Sequence, residues 1–245
     1  MIKATYVDHC GSDLTTVNAA RVSFGKKSEW KKQSVSYQEY EENDYKEWFV
    51  AETFTDPYYG HDLVKLKPED AKLIHYLAKH GHYSPFGHCF ASFHIKAPIF
   101  VVRQLVKHEY LRMNEISRRY VDSEPEFYVP DVWRGRSKAK KQGSDGVVKD
   151  IQTDALPQWH DDALHYYSML LESGVAPEMA RMVLPQSMYT EWYWSGSMGA
   201  FANMCILRLK EDTQYETRLV AQQIDKVMSE LYPVSWRCLV HGGES

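Results

Sequence analysis

An α+β fold is what the sequence predicts: a single domain with a helix-rich body packed on a small, mostly antiparallel sheet, carrying an inserted surface segment. Amphipathic stretches at helical spacing outnumber strand-like ones, and the two kinds are segregated instead of alternating as βαβ units would. A length of 245 residues at 44% hydrophobic content can bury one sizeable core. We therefore expect one domain over 1–245, although two smaller domains also fit that length. Residues 25 to 60 are polar and aromatic, which suits a surface insertion or a lid.

The first clear helix runs from Pro68 to about Ala78. Proline and the acids Glu69 and Asp70 open it, Leu73, Ile74 and Leu77 share one face, and Gly81 ends it. A strand is expected over 88–95, where alternation begins; the run then turns apolar behind Pro98, a residue suited to a helix's first turn. Lys138 to Gly146 reads as a mobile loop. A helix is expected from about Pro157 to Glu172, stopping at Gly174, and another from about Pro177 to Val183, stopping before Pro185. A second strand is expected over 187–194. Near the carboxyl terminus Val220, Ile224, Val227 and Leu231 recur at helical spacing until Pro233.

Composition narrows the function classes. The formal net charge is -4, and the lysines at 26, 27, 31 and 32 are offset by Glu39, Glu41, Glu42 and Asp44, so we read a solvated surface and expect no nucleic-acid partner. No apolar run approaches the roughly 20 residues that cross a bilayer, and the amino terminus lacks a secretion signal, so we expect no membrane partner and a cytoplasmic location. Cys10, Cys89, Cys205 and Cys238 are widely separated and form no closely spaced ligand pair, so no metal is expected. Cys89 reads as the start of a buried strand, not as a nucleophile.

The most informative stretch is Arg103 to Tyr120. It carries Arg103, Lys107, Arg112, Arg118 and Arg119 against Glu109 and Glu115, a local excess of cations in an acidic protein. Guanidinium forks bind phosphate, while a nearby carboxylate and serine can read uncharged parts of the same ligand, so a nucleotide monophosphate suits the mixture. A solvated, salt-bridged helix surface would explain the charges alone, but not Gln104, His108, Asn114 and Ser117 among them.

Lys107-His108-Glu109 is followed after seven residues by Ser117, within Asn114-Glu115-Ile116-Ser117-Arg118-Arg119-Tyr120. This resembles the signature of the flavin-dependent thymidylate synthases, an Arg-His-Arg triplet and an Asn-Glu-x-Ser-x-Arg-Tyr block at the same spacing. Ala19 to Phe24 and Lys79 to His88 look like the family's amino-terminal blocks, and Glu172 to Pro185 and Asn203 to Arg208 are similar to its later ones. About 25–67 and 131–150 have no obvious counterpart and read as insertions.

The resemblance implies an enzyme that converts dUMP to dTMP, in which reduced FAD carries the one-carbon unit of 5,10-methylenetetrahydrofolate and NADPH supplies the hydride, with no protein nucleophile. It also implies a homotetramer with sites shared between subunits. Arg208 matches the residue that would stabilise negative charge on the pyrimidine and make its C5 carbon more nucleophilic. Read locally, an arginine late in an apolar helix equally suits binding a carbonyl at the helix end or snorkelling to solvent. His82, grouped with His88 around Ser84 and Pro85, is the second catalytic candidate, in a ligand or folate role.

For dUMP the matched positions are Gln104, Lys107, Glu115, Ile116, Ser117, Arg118, Arg119, Arg181 and Arg208. Backbone N–H groups around Ser117 are expected to cradle the phosphate as a nest. For FAD they are Ser84, Lys107, His108, Glu109, Glu115, Ser197 and Asn203. Asn203 and Arg208 lie roughly 140° apart on an ideal helix, so they are expected to face different ligands.

The sequence departs from the family at identifiable places. Lys107 keeps the charge but not the fork, Glu109 reverses the sign, and Ser197-Met198-Gly199 stands where the family offers Asn-x-Arg. Arg112, Lys96 or a lysine of the inserted segment is expected to compensate. Two alternatives follow: a flavin- or nucleotide-binding homologue that has lost turnover, and a cysteine-dependent synthase, for which the Pro-Cys-His type of nucleophile context is missing.

Overall fold

Alternation of buried and exposed positions along Phe90–Pro98 and Tyr189–Ser197 builds the centre of a four-stranded sheet. In the first strand Ala91, Phe93, Ile95 and Ala97 are buried, and in the second Trp192 and Trp194. The protein's structure is a computed structural model that describes residues 1–36, 49–56, 60–120, 124–137, 143–149, 151 and 155–242, with backbone alone over 49–56 and 60–62.

In chain order the elements begin with β1 (Lys3–Cys10), α1 (Asp13–Arg21), β2 (Lys31–Val35), β3 (Phe49–Asp56), β4 (Gly60–Lys65), α2 (Pro68–Lys79), β5 (Phe90–Pro98), α3 (Ile99–Leu105) and β6 (Leu111–Glu115). They continue with β7 (Arg134–Arg136), β8 (Ser144–Val147), α4 (Ala155–Glu172), α5 (Pro177–Ala180), β9 (Tyr189–Ser197), α6 (Met198–Arg208), α7 (Tyr215–Leu231) and α8 (Pro233–Val240). Contacts divide the chain into two compact units, residues 1–9 with 90–228 and residues 10–89 with 229–245.

The larger unit holds the sheet β1-β5-β9-β6, in which β9 pairs antiparallel with both β5 and β6. Its core is aromatic. Phe201 of α6 meets Phe93 edge-on at 5.3 Å and Trp194 at 5.5 Å between ring centroids, an arrangement the ring quadrupoles favour. The buried apolar residues of α7 are Val220, Ala221, Ile224 and Met228, and Gln223 on the same helix accepts the Ala4 N–H of edge strand β1 at 2.9 Å.

The smaller unit packs α2 with α8 and α1 with α2, beside a three-stranded antiparallel sheet in the order β2-β4-β3. Asp13 caps α8: its carboxylate accepts the Val234 and Ser235 N–H groups at 2.9 and 2.8 Å. Asp70, fully buried in the first turn of α2, accepts from Arg21 at 3.0 Å and from Ser28. Among the described residues no helix is long and apolar enough to cross a membrane.

The α+β class with a small antiparallel sheet is what the structure has, and the expected helices stand within about two residues of their sequence limits. The exception is 177–183, which is one α turn, α5, continued by the 3₁₀ turn Arg181–Val183. Both expected strands lie two to three residues further along than read. Two segments differ. Part of the polar insertion forms β2, β3 and β4, with Val35 and Leu63 buried; residues 37–48, including Glu39, Glu41, Glu42 and Asp44, lie outside the described residues. Ser144–Val147 of the expected loop pairs with Arg134–Arg136, while 138–142 lie outside the described residues.

Removing the ring that joins α6 to the sheet should be costly. Phe201→Ala is expected to destabilise the fold by about 3–5 kcal/mol, read from the denaturant midpoint of the purified protein.

Candidate active site

Three buried residues, Val101, Val102 and Leu105, hold α3 against the core and leave Arg103 exposed and Gln104 half-buried at its carboxyl end. The chain then turns through Lys107, His108 and Glu109 into Tyr110, which has a positive φ of 62°, before entering β6. Gly196 of β9 makes room for that turn: a Cβ there would lie 2.9 Å from the Tyr110 carbonyl oxygen and 2.5 Å from Leu111 Cδ2.

Arg208, at the end of α6, reaches this turn. Its Nε donates to His108 Nε2 at 2.9 Å and its Nη2 donates to the Gln104 carbonyl oxygen at 3.0 Å. Of the two readings of an arginine at this position, these contacts match the local one, since Arg208 binds the carbonyl of a helix's last turn, that of α3, and also faces the signature histidine. Burial, with the Arg208 charge behind it, pulls His108 down to about 4, so its imidazole is neutral and accepts the proton of Arg208. Burial also lowers Arg208 from its ordinary value, while leaving it a cation.

Gln104 has a second engagement, which sequence reasoning missed. Its side-chain NH₂ donates to Gln214 Oε1, Gln214 Nε2 donates to Glu216 Oε2 at 3.2 Å, and Glu216 Oε1 accepts from Tyr128 Oη at 3.0 Å and from Arg134. The signal in the chain was the polar pair Gln214 and Glu216 just ahead of the apolar positions Val220, Ala221, Ile224 and Met228. Gln214, Glu216, Tyr128 and Arg134 also line a cleft of about 460 Å³.

A separate cleft of about 670 Å³ in the same unit gathers much of the signature block. Glu115, Ile116, Ser117, Arg118, Arg119 and Arg181 all line it. Thr190 donates to Glu115 at 2.7 Å, and the Arg119 N–H donates to Ser117 Oγ at 3.3 Å. The N–H groups of Ile116 and Tyr120 are also taken, by the carbonyls of Glu191 and Ser117. Three N–H groups of the expected nest, those of Ile116, Arg119 and Tyr120, are thus engaged within the protein, and Arg119, Arg181 and the Ser117 hydroxyl add side-chain donors at the same cleft.

Ser197 caps α6, accepting the Ala200 N–H at 3.2 Å. Asn203 is exposed one turn before Ile206 and Leu207, two exposed apolar residues on the same helix face. Lys96, an expected compensator, is held by Glu126 at 2.6 Å and Glu191 at 3.5 Å, whereas Arg112 is exposed on β6 opposite Ser195. His82 and Ser84 lie in the smaller unit. There they line a cleft of about 640 Å³ with Arg21, Phe24 and Tyr76, and the His82 ring meets Tyr76 edge-on at 5.8 Å.

The family model described as thymidylate synthase complementing protein matches residues 5–234. The chain belongs to the flavin-dependent thymidylate synthase family. It is 37% identical to the flavin-dependent thymidylate synthase of Thermus thermophilus over 94% of this chain and 72% of that one, and 35% identical to that of Kosmotoga olearia over 96% and 88%. Among solved structures it is similar to a UMP/dUMP methylase from Streptomyces cacaoi bound with 5-Br dUMP, at a TM-score of 0.76 and 28% identity, covering 98% of this chain and 95% of that one.

A flavin has a flat ring with hydrogen-bonding edges and, as FAD, an anionic diphosphate. The donor set of this family member fits both parts. Asn203 offers an amide beside exposed apolar surface, neutral His108 offers a flat partner, and exposed Arg103 and Lys107 offer cations close in sequence to Glu109.

His108 should stay neutral down to about pH 4 in an NMR titration, and Arg208→Met should raise that midpoint. A free imidazole titrates near 6.5, so the unfolded chain takes this proton first, and the stability His108 contributes is intact above about 6.5 and lost as pH falls toward 4. His108→Gln should flatten that part of the stability curve. Gly196→Ala, which pushes on the Tyr110 backbone, should cost about 1–3 kcal/mol by denaturant unfolding.

Proposed function

We propose that this chain is a thymidylate synthase that converts dUMP to dTMP, drawing the carbon from 5,10-methylenetetrahydrofolate and the hydride from NADPH through FAD. The observation that carries this reading is Arg208, a half-buried cation anchored on the Gln104 carbonyl and a neutral histidine. A guanidinium so fixed and set against a uracil carbonyl would stabilise negative charge on the ring without having to reorganise, which raises the electron density at C5. Neutral His108 matters here, because a second cation would oppose Arg208 in place of orienting it.

Ser117, Arg119 and Arg181 would take the phosphate, with guanidinium forks matching its oxygens. Glu115, held by Thr190, would accept from a sugar hydroxyl, and Gln104, Lys107, Ile116 and Arg118 complete the nucleotide set. FAD would be held by Ser84, Lys107, His108, Glu109, Glu115, Ser197 and Asn203, and when bound it supplies the carbon- and hydride-transfer chemistry that side chains lack. His82 would take a ligand or folate role. A homotetramer with shared sites is the assembly this reading expects.

The state of Cys89, the cysteine nearest the matched blocks, supports a route without a cysteine nucleophile. Cys89 is fully buried, donates to the Ser12 carbonyl at 3.3 Å, and is pushed by burial up to about 11. At neutral pH it holds little thiolate, the form a nucleophile needs. Glu109 favours a second reading, a binding homologue without turnover, which would bind flavin or dUMP yet release no C5 hydrogen.

The purified protein should show a flavin spectrum and release tritium from C5-labelled dUMP when given methylenetetrahydrofolate and NADPH. Arg208→Ala should lower that release by about 10²–10³-fold at an unchanged melting temperature, whereas Cys89→Ala should leave it intact. Bound flavin with no release would decide for the second reading.

A further inference from the structure

Glu115 lines the same cleft as Arg119 and Arg181, yet it pairs with neither. Arg119 is tied through Nε to Ser117 Oγ at 3.5 Å and stands over the Tyr120 ring at 5.1 Å, while Arg181 is tied through Nε to the Glu178 carbonyl at 3.3 Å. Among the described residues the Nη groups of both guanidiniums have no hydrogen-bond partner, so the fork that fits two oxygens at once is unspent. An exposed glutamate on a flexible stem is a natural counter-ion for such a fork, and Glu115 is exposed at the end of β6. It is held elsewhere.

The holder is Thr190, 4% exposed in the interior strand β9, whose hydroxyl donates to Glu115 Oε1 at 2.7 Å. Glu115 stands opposite Trp192 in the register of β6 on β9, which makes Thr190 its diagonal neighbour on the same sheet face. A buried β-branched side chain on a strand paired at both sides has little freedom, so the carboxylate is tied to a fixed point. The Ile116 N–H, donating to the Glu191 carbonyl at 2.9 Å, fastens the backbone beside it.

We propose that Thr190 is a positioning residue that withholds Glu115 from Arg119 and Arg181, and so keeps two guanidiniums available for the phosphate of the nucleotide. This rests on the phosphate reading given above. Without the hydroxyl the carboxylate is released into a cleft where those forks are its best partners, and an ion pair formed there must break before a phosphate can bind. Glu178, the other acid of the lining, meets Arg181 through its backbone carbonyl.

The test measures dUMP by calorimetry, and inorganic phosphate by its competition with dUMP, on the full-length protein. Thr190→Val drops the hydroxyl at nearly constant shape and should weaken both ligands about threefold to tenfold, whereas Thr190→Ser should bind both as wild type does. Phosphate carries no sugar, so its loss reports the cations and not a contact of Glu115 with a sugar hydroxyl. In the Glu115→Gln background Thr190→Val should cause no further loss, since no carboxylate is left to release. A strand that was merely loosened would lose affinity in both backgrounds.

Thr190→Ala repeats the measurement if Thr190→Val fails to fold. Unchanged phosphate affinity in the folded variant, or an equal loss in the Glu115→Gln background, overturns the proposal. Wild type that binds no dUMP removes the nucleotide reading and this proposal with it, whereas wild type that binds dUMP beside an insensitive Thr190→Val removes this proposal alone.

Discussion

Everything distinctive about the larger unit converges on a cation that has been made to stay in one place. Arg208 has a long, freely rotating side chain, and in solution its guanidinium would be strongly disordered. Here two acceptors of different origin fix it, the Gln104 carbonyl from the end of one helix and the His108 ring from the turn that follows. The interaction is mutual. The cation helps keep His108 neutral, and only a neutral imidazole can accept the hydrogen bond that orients the cation.

The fold supplies that geometry through packing. Phe201 fastens α6 to Phe93 and Trp194 at the centre of the sheet, and Arg208 is two helical turns further along the same rigid element. On the other side, Val101, Val102 and Leu105 fasten α3, so the Gln104 carbonyl is as immobile as the core beneath it. The turn between α3 and β6 is tight enough to force Tyr110 to positive φ, and it lies over Gly196 because no side chain stands in the way.

Much of this was legible in the sequence, for a physical reason. Five consecutive residues, Glu115 to Arg119, line the cleft around Ser117, so their order along the chain already carried that part of the clustering in space. Helices with proline at the start and glycine at the end announced their limits. β2 to β4 did not. That sheet buries Val35 and Leu63 but has polar residues along much of β2, so no clean alternation marks it as strand. Gly143 and Gly146 made the β8 region read as a loop, though β8 pairs with β7. α1 was not singled out as a helix; its cap, Thr15 accepting the Ser12 N–H, is local, but the role of Asp13 at the start of α8 depends on residues more than 200 positions away. Gln214 and Glu216 were missed for the same reason, since the bond from Gln104 to Gln214 joins residues 110 positions apart.

The ion pair of half-buried Arg134 with buried Glu216 is hard to justify by stability alone. Withdrawing the Glu216 charge from water is costly, and well-packed apolar residues of similar volume are often as stabilising as the pair they replace. An apolar pair, however, would have no polarity to pass on. Gln214 and Gln104 would then be free to turn over, each orientation satisfying the other equally well, and the far end of Gln104 would be a carbonyl in one molecule and an NH₂ in the next. A fixed charge at the head of the chain removes that degeneracy because a carboxylate can only accept and a guanidinium can only donate. On this reasoning the pair acts as a source of direction, and its energetic cost is borne by the same core that immobilises α3 and α6.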